Sequence, residues 1–168
     1  MKPVLAFDTT ALNCFALAGR LDLLAQIVEP FRCVAPSEVL HELTAGVASH
    51  PELREALNLP WLESVQLELG DLAPFARYKR ELGGGPSKNM GEAAVLAWCV
   101  RTGDTAIIDE SRARDIARQD GIDVHGSLWL IQRGMKSNLL DHSAAVTLID
   151  QLRSAGMYLP SDSESLIA

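Results

Sequence analysis

Four acidic residues stand where short apolar runs end or where helical patterns begin, and they are the side chains best placed for chemistry. Asp8 and Asp109 each end an apolar run, Glu42 lies in a helical pattern after a second run, and Glu92 follows a glycine-rich stretch. Carboxylates that converge on one crevice repel each other unless a cation lies between them. Because hard divalent cations prefer oxygen ligands, the set predicts a Mg²⁺ or Mn²⁺ site. Such a site activates a water molecule for hydrolysis.

Each acid also has a purely structural interpretation. Asp8 and Asp109 are suited to cap the helices that follow them, and Glu92 near a helix start is favoured by the helix dipole. Glu42 is explained as a solvated residue, which is the default for Glu on a helix. Taken singly, this interpretation is preferred for Glu42 and stays open for the other three. The combination favours a metal site, because acids that end two strands of one parallel sheet share one crevice.

Strand-like and helix-like patterns alternate along the chain, which predicts an α/β fold with a mainly parallel central sheet flanked by helices. The predicted strands are Pro3–Asp8, Phe31–Ala35, Val65–Leu69, Thr105–Asp109 and Ile122–Val124. The segment Asn89–Arg101 is apolar around most of its circumference, so we expect a buried helix there. With no linker-like stretch, residues 1–168 are predicted to form a single domain. Only the polar tail from about Pro160 is expected to be loose.

Composition and charge exclude several classes of protein. The chain is 48% hydrophobic and 22% charged, which is typical of a globular protein and not of a disordered one. No apolar run approaches the roughly 18–20 residues of a membrane span, and the N-terminus lacks a signal-peptide pattern, so a cytoplasmic protein is predicted. The net charge of −7 argues against broad electrostatic binding of a nucleic-acid duplex. Cys14, Cys33 and Cys99 are widely spaced and are predicted to be reduced core residues.

Four further residues near the acids are candidates for supporting roles. Lys88 lies between the glycine-rich stretch and Glu92, and Arg114 follows Asp109, so both could contact a scissile phosphate. An exposed charge or an ion pair explains these two basic residues equally well.

Thr9 follows Asp8 as a small hydroxyl residue, and Glu110 is the better of two candidates for a fifth acid. The other candidate, Asp115, falls inside a predicted helix and is expected to face solvent.

Five segments together resemble the motifs of PIN-domain nucleases. Their opening strand resembles Val4–Leu12, an apolar run followed by Asp and a small hydroxyl residue, and their second motif resembles Val34–Leu43. The third and fourth motifs resemble Gly91–Ala94 and Ala106–Arg114. A prokaryotic, toxin-like branch also shares the Gly-small-Leu turn of Gly126–Leu128. The resemblance covers about residues 3 to 160, with Glu92 where most PIN domains carry Asp.

This resemblance implies both a fold and a function. The fold would be the three-layer PIN architecture, and Asp8, Glu42, Glu92 and Asp109 would hold Mg²⁺ or Mn²⁺ to cut RNA through a metal-activated water. The branch further implies the toxin of a toxin–antitoxin pair, an antitoxin protein as partner, and a homodimer.

Two other functions stay open. One is a degenerate PIN scaffold that binds without cutting. The other is a phosphoaspartyl hydrolase with Asp8 as nucleophile, although such enzymes usually carry a second acid two residues on, where Thr10 stands.

Overall fold

The computed structural model describes residues 1–167, in which five parallel strands form one sheet in the order β3-β2-β1-β4-β5. The strands are β1 (Val4–Phe7), β2 (Arg32–Pro36), β3 (Leu62–Val65), β4 (Thr105–Ile107) and β5 (Val124–His125). Apolar side chains buried on both faces explain why the short runs of β1, β2 and β4 form strands, since the centre of a parallel sheet is covered on each side. At the edge, β3 has Glu63 and Ser64 exposed. The predicted α/β class with a parallel central sheet is confirmed.

Helices connect and cover the strands. They are α1 (Thr9–Leu17), α2 (Leu21–Val28), α3 (Ser37–Gly46), α4 (Leu53–Ala56), α5 (Leu72–Leu82), α6 (Met90–Thr102), α7 (Ser111–Gln119), α8 (Ser127–Lys136), α9 (His142–Ser154) and α10 (Ser163–Leu166), with a 3₁₀ turn at Leu69–Asp71. From β1 the chain adds β2 and β3 toward one edge of the sheet, and it then crosses back to add β4 and β5 toward the other edge. Because parallel crossovers keep one hand, this order places helices on both faces and gives three layers. None of the helices within residues 1–167 is long and apolar enough to cross a membrane.

Helix α6 is the central helix of the fold, as its apolar circumference predicts. Ala93, Ala94 and Ala97 are fully buried, and their small side chains let α6 pack closely against α3, α5 and the sheet. The buried apolar residues of the described chain form one continuous cluster. The three cysteines are free and belong to this cluster, as predicted.

The strand order reverses between β1 and β4, and this point fixes where a site can form. β2 and β3 lie on one side of β1, whereas β4 and β5 lie on the other. In open α/β sheets, ligands bind beyond the carboxyl ends of the strands at such a switch point. Phe7 is in register with Ile107, so Asp8 and Asp109 emerge at the same edge of adjacent strands. The prediction that these two acids share one edge is therefore confirmed.

Two predicted strands were placed wrongly along the sequence. β3 runs over Leu62–Val65 and not over Val65–Leu69, because its parallel register with β2 ends where Pro36 meets Val65. After Val65 the chain turns into the 3₁₀ helix, where Glu68 and Asp71 cap each other's backbone amides and Leu69 is exposed. The apolar alternation of that stretch therefore reflects a turn. β5 is Val124–His125, later than the predicted Ile122–Val124.

The C-terminal tail also differs from the expected loose segment. Leu159, Ser163 and Ile167 are buried, and α10 begins at Ser163 and ends just before Ile167. The side chains of Arg153 and Ser163 both donate hydrogen bonds to the carbonyl oxygen of Pro160 at 2.6 Å. The tail packs against the domain because a few apolar residues among its polar ones reach the core.

An ion pair between Arg101 and the buried Asp71 leads to a prediction about pH. Arg101 donates to Asp71 at 2.6 Å. Burial alone would raise the pKa of Asp71, but bonds from Arg101 and from the Glu68 amide hold it below the ordinary value. The resulting stability is present above the unfolded pKa of about 3.9 and is lost as pH falls through the folded pKa.

We therefore expect Asp71→Asn to lower the free energy of unfolding at pH 7 by about 1–3 kcal/mol. The melting temperature should fall accordingly. The difference from wild type should begin to shrink below about pH 4, where Asp71 of the unfolded chain takes up a proton, and it should be lost as pH falls through the lower folded pKa. Thermal melts at pH 7 and pH 3 measure it. An equal difference at both pH values would contradict the role of the charge.

Candidate functional site

Asp8 links β1 to α1 and is almost completely buried, with 1% of its surface exposed. Its amide continues the sheet by donating to the carbonyl oxygen of Ile107 at 3.0 Å. Its Oδ1 accepts a hydrogen bond from the Thr9 amide at 2.6 Å, which caps α1. Its Oδ2 is buried and has no hydrogen-bond partner among the described residues. Helix capping thus accounts for only one of the two carboxylate oxygens. Burying the other without a partner costs free energy, which a bound cation would offset.

Glu42 projects from α3 toward the starts of two other helices. Its Oε2 accepts from Thr9 Oγ1 at 2.8 Å, and its Oε1 accepts from the Gly91 amide at 2.6 Å. The carboxylate therefore joins α1, α3 and the N-terminus of α6, where the helix dipole favours negative charge. Glu42 is not the freely solvated residue of the structural interpretation.

Gly91 brings α6 against the acids because it has no side chain. A Cβ atom at this position would lie 2.9 Å from Thr9 Oγ1, 3.0 Å from Asp8 Oδ1 and 3.2 Å from Glu42 Oε1. These three oxygens, from two separate elements, thus surround a single point. The first of these distances is shorter than real Cβ contacts, so any other residue at position 91 would displace part of this group.

The electrostatics join Glu92 to the same group. Burial raises the pKa of Glu92, and the charges of Glu42 and Glu110 raise it further, while its own amide and Lys79 oppose the shift. Burial raises the pKa of Asp8 well above its ordinary value, with further contributions from Glu92, Glu42 and Asp109. Asp8 thus feels the charge of all three other predicted acids.

Asp109 lies just beyond β4 and is held by the N-terminus of α8. The amide and the hydroxyl of Ser127 donate to its two carboxylate oxygens, both at 2.7 Å. Burial raises the pKa of Asp109, while these bonds and the charge of Arg114 lower it. Gly126 makes room for the arrangement, since a Cβ there would lie 2.8 Å from Arg114 Nη1 and 2.9 Å from Asp109 Oδ1.

The predicted supporting residues have different surroundings. Thr9 positions Glu42, as described above. Both oxygens of Glu110 accept from backbone amides of α7, so this residue caps that helix. Lys88 is exposed on the Gly83–Asn89 loop. Arg114 is half-buried beside Asp109, and its Nε is buried without a partner among residues 1–167.

Three contributors were given no role in the site from the sequence alone, although Gly91 and Ser127 lie in motif segments named above. Ser127 holds Asp109, and Gly91 admits α6 to the acids. Lys79 opposes the raised pKa of Glu92 and also anchors the glycine-rich loop through the carbonyl oxygens of Gly85 and Lys88. The signal for Ser127 was its place after Gly126, where an apolar helix begins. Lys79 carries no such signal, because its partners lie on a loop of irregular backbone.

We expect Ser127→Ala to destabilise the protein, because one oxygen of Asp109 loses its hydroxyl donor. A hydrogen bond to a charged group contributes about 1.5–3 kcal/mol. In a chain of this size each kcal/mol corresponds to roughly 2–4 °C in melting temperature. Thermal melts in chelator measure the loss. Ser154→Ala, at the exposed end of α9, is the control and should melt like wild type, and equal melting of both variants would contradict the role of Ser127.

The acids have a composition that suits a divalent cation, although their side chains are not arranged as a ready-made cage. Among residues 1–167, no three Asp, Glu, His or Cys side chains are grouped closely enough to hold one metal ion as they stand. The predicted sharing of a cation by the four acids is therefore not seen directly. The unpartnered oxygen of Asp8 and the three neighbouring carboxylates nevertheless fit a hard cation.

Comparisons with known proteins agree with this fold. A family model described as a PIN domain matches residues 4–167. One solved chain with a similar structure comes from the crystal structure of VapBC2 from Rickettsia felis, which is bound to a DNA fragment from its own promoter. The TM-score is 0.52 at 14% identity, and the match covers 73% of this chain and 98% of that chain. No curated protein sequence matches the chain.

Proposed function

Because this chain belongs to the PIN-domain family, we propose that it is an endoribonuclease that depends on a divalent metal. The observation that carries the proposal is the buried, unpartnered oxygen of Asp8, which lies among carboxylates at the switch point of the sheet. A buried carboxylate in like-charged surroundings is costly to keep without a function. The site proposed from the sequence and the position favoured for ligands in this fold coincide.

Asp8 would be a direct ligand of Mg²⁺ or Mn²⁺, with Glu42, Glu92 and Asp109 completing the site. Mg²⁺ usually takes one or two direct carboxylates and keeps several waters, so a preformed cage of three is not required. When bound, the ion would supply an activated water and offset charge on the phosphate. Thr9 and the Gly91 amide hold Glu42, while Ser127 holds Asp109, so the chain fixes two acids by donors outside the cluster.

Glu110 is left out of the proposed ligand set, since both of its oxygens already bind amides of α7. The basic side chains nearest the acids are candidates to contact RNA. Arg114 influences Asp109, and Lys79 influences Glu92, so positive charge acts on two members of the cluster. Lys88 lies on the exposed loop that Lys79 anchors, where its side chain is free to reach a phosphate.

A phosphoaspartyl hydrolase is disfavoured by the surroundings of Asp8. Such a nucleophile must be accessible to a phosphate, whereas Asp8 is buried and one of its oxygens caps α1. The charges that act on it most strongly belong to carboxylates, which would repel the phosphate.

We also propose that the enzyme is a toxin paired with an antitoxin protein. The support is the fold shared with one chain of the VapBC2 assembly and the toxin-like motifs of the sequence. A cytoplasmic location is part of the same proposal, since a toxin of this kind meets RNA inside the cell. A homodimer is part of it too, as the resemblance to the toxin-like branch implies.

Cleavage of single-stranded RNA of random sequence tests the enzymatic proposal. We expect cleavage in Mn²⁺ or Mg²⁺, none in excess chelator, and none by Asp8→Asn. Asp22→Asn, in the first turn of α2, is the control and should cut like wild type. Cleavage in chelator would refute the metal mechanism, and saturable Mn²⁺ binding without any cleavage would favour the degenerate scaffold.

A further inference from the structure

A pocket of about 260 Å³ has Asp109 in its lining. Asp109 and Arg114 are charged residues of its lining, and Leu128, Tyr158 and Leu159 are among the other lining residues. The volume lies below the roughly 300–1,000 Å³ of sites for drug-sized ligands, so it suits a single planar group. It therefore combines a small apolar slot with charged groups beside the proposed metal site.

The wall that carries Tyr158 is well anchored. Met157 and Leu159 are buried on either side of Tyr158, whose own side chain is 81% exposed. The carbonyl oxygen of Pro160 accepts bonds from Arg153 and Ser163. An exposed aromatic ring is thus held on a backbone whose position is fixed by its neighbours.

Arg114 brings a second feature that points to a ligand. Its Nε is buried and has no hydrogen-bond partner among the described residues. An unpaired buried donor costs free energy unless something binds it. A guanidinium group binds phosphate through several donors in one plane, so a phosphate is the ligand that its chemistry favours.

We propose that this pocket is a nucleotide subsite for single-stranded RNA, in which Tyr158 stacks on an unpaired base next to the cut. Arg114 binds the phosphate of that nucleotide. Proteins that bind single strands combine aromatic stacking surfaces with basic groups that follow the backbone, and both lie here within one pocket. The inference rests on the proposed function, because it assigns a substrate contact to the same site.

The test measures binding of a short single-stranded RNA that contains 2-aminopurine, whose fluorescence falls when it stacks. Asp8→Asn protein is used so that the RNA stays intact. We expect this protein to quench the probe, and the added change Tyr158→Ala to abolish quenching and to weaken binding roughly 5- to 150-fold. Tyr158→Phe keeps the ring and should bind like the parent, and Leu69→Ala, an exposed apolar residue outside the pocket, should also bind normally.

The outcomes separate this inference from the proposed function. Unchanged affinity and quenching in Tyr158→Ala, while wild-type protein cuts RNA, would overturn the subsite alone. The same result is expected if the pocket instead receives a peptide of a partner protein. Failure of wild-type protein to cut RNA, together with failure of Asp8→Asn to bind it, would overturn both.

Discussion

Asp8→Asn protein is expected to melt at a higher temperature than wild type in excess chelator. Asn is as good a helix cap as Asp, so the bond from the Thr9 amide is retained while the charge is removed. Burial and the charges of Glu92, Glu42 and Asp109 raise the pKa of Asp8, so its charged form destabilises the protein at neutral pH. Relief of about 1 kcal/mol would raise the melting temperature by roughly 2–4 °C.

The order of stability should reverse when Mn²⁺ is added. A ligand at one hundred times its dissociation constant stabilises the protein that binds it by about 2.7 kcal/mol, or roughly 5–10 °C here. We expect this shift in wild type and little or none in Asp8→Asn. Asp141→Asn is a control, since Asp141 also caps a helix by accepting a bond from a backbone amide, and it is exposed. Equal Mn²⁺ shifts in wild type and Asp8→Asn would contradict the assignment of Asp8 as a ligand.

Gly91→Ala is expected to impair cleavage severely while the fold is retained. The added methyl group would lie within 3.2 Å of Thr9 Oγ1, Asp8 Oδ1 and Glu42 Oε1. Each of these oxygens is already fixed by a hydrogen bond, so the methyl group can fit only if the acids move. Because a displacement of about 1 Å near reacting groups can cost on the order of 100-fold in rate, we expect a loss of that size.

Gly70→Ala provides the comparison for this variant. A Cβ at Gly70 meets no atom within 4 Å, and the backbone there does not need a positive φ. This variant should therefore cut RNA at the wild-type rate. If Gly91→Ala also cuts at that rate while binding Mn²⁺ normally, the close contact of α6 with the acids has no role in the site.

The positions of Asp8 and Asp109 at strand ends could be predicted because they are set by local pattern. An apolar run that ends in Asp predicts a strand end, and parallel pairing then brings Asp8 and Asp109 to one edge. The same reasoning misplaced β3, because alternation over Val65–Leu69 has the period of a strand whether or not a neighbour is in register. Pairing with β2 decides the question, and pairing is a tertiary property.

The contacts that tune the site could not be predicted, since they join residues distant in sequence. Ser127 binds Asp109 across 18 positions, and the Gly91 amide binds Glu42 across 49. Tyr158 lies just before the polar tail, in a segment whose order depends on burial of Leu159, Ser163 and Ile167. A pattern of polar residues predicts exposure, but it does not reveal which few side chains reach the core.

Asp8, Glu42 and Asp109 differ in the hydrogen bonds that they accept, and this difference makes Asp8 the acid most in need of a cation. Glu42 and Asp109 each accept two hydrogen bonds, one of them from a backbone amide at a helix start. Asp8 has one such bond and one buried oxygen without a partner. A cation bound at Asp8 would therefore complete the only acid of these three that the described residues leave unsatisfied.

Crystals grown with Mn²⁺ provide the most direct test, because anomalous scattering locates the ion itself. We expect a peak at the carboxyl ends of β1 and β4, in contact with the carboxylate of Asp8 and near those of Glu42, Glu92 and Asp109. The same map for Asp8→Asn crystals should lack it. A peak elsewhere, or no peak at saturating Mn²⁺ while the protein still cuts RNA, would contradict the claim that these acids form the metal site.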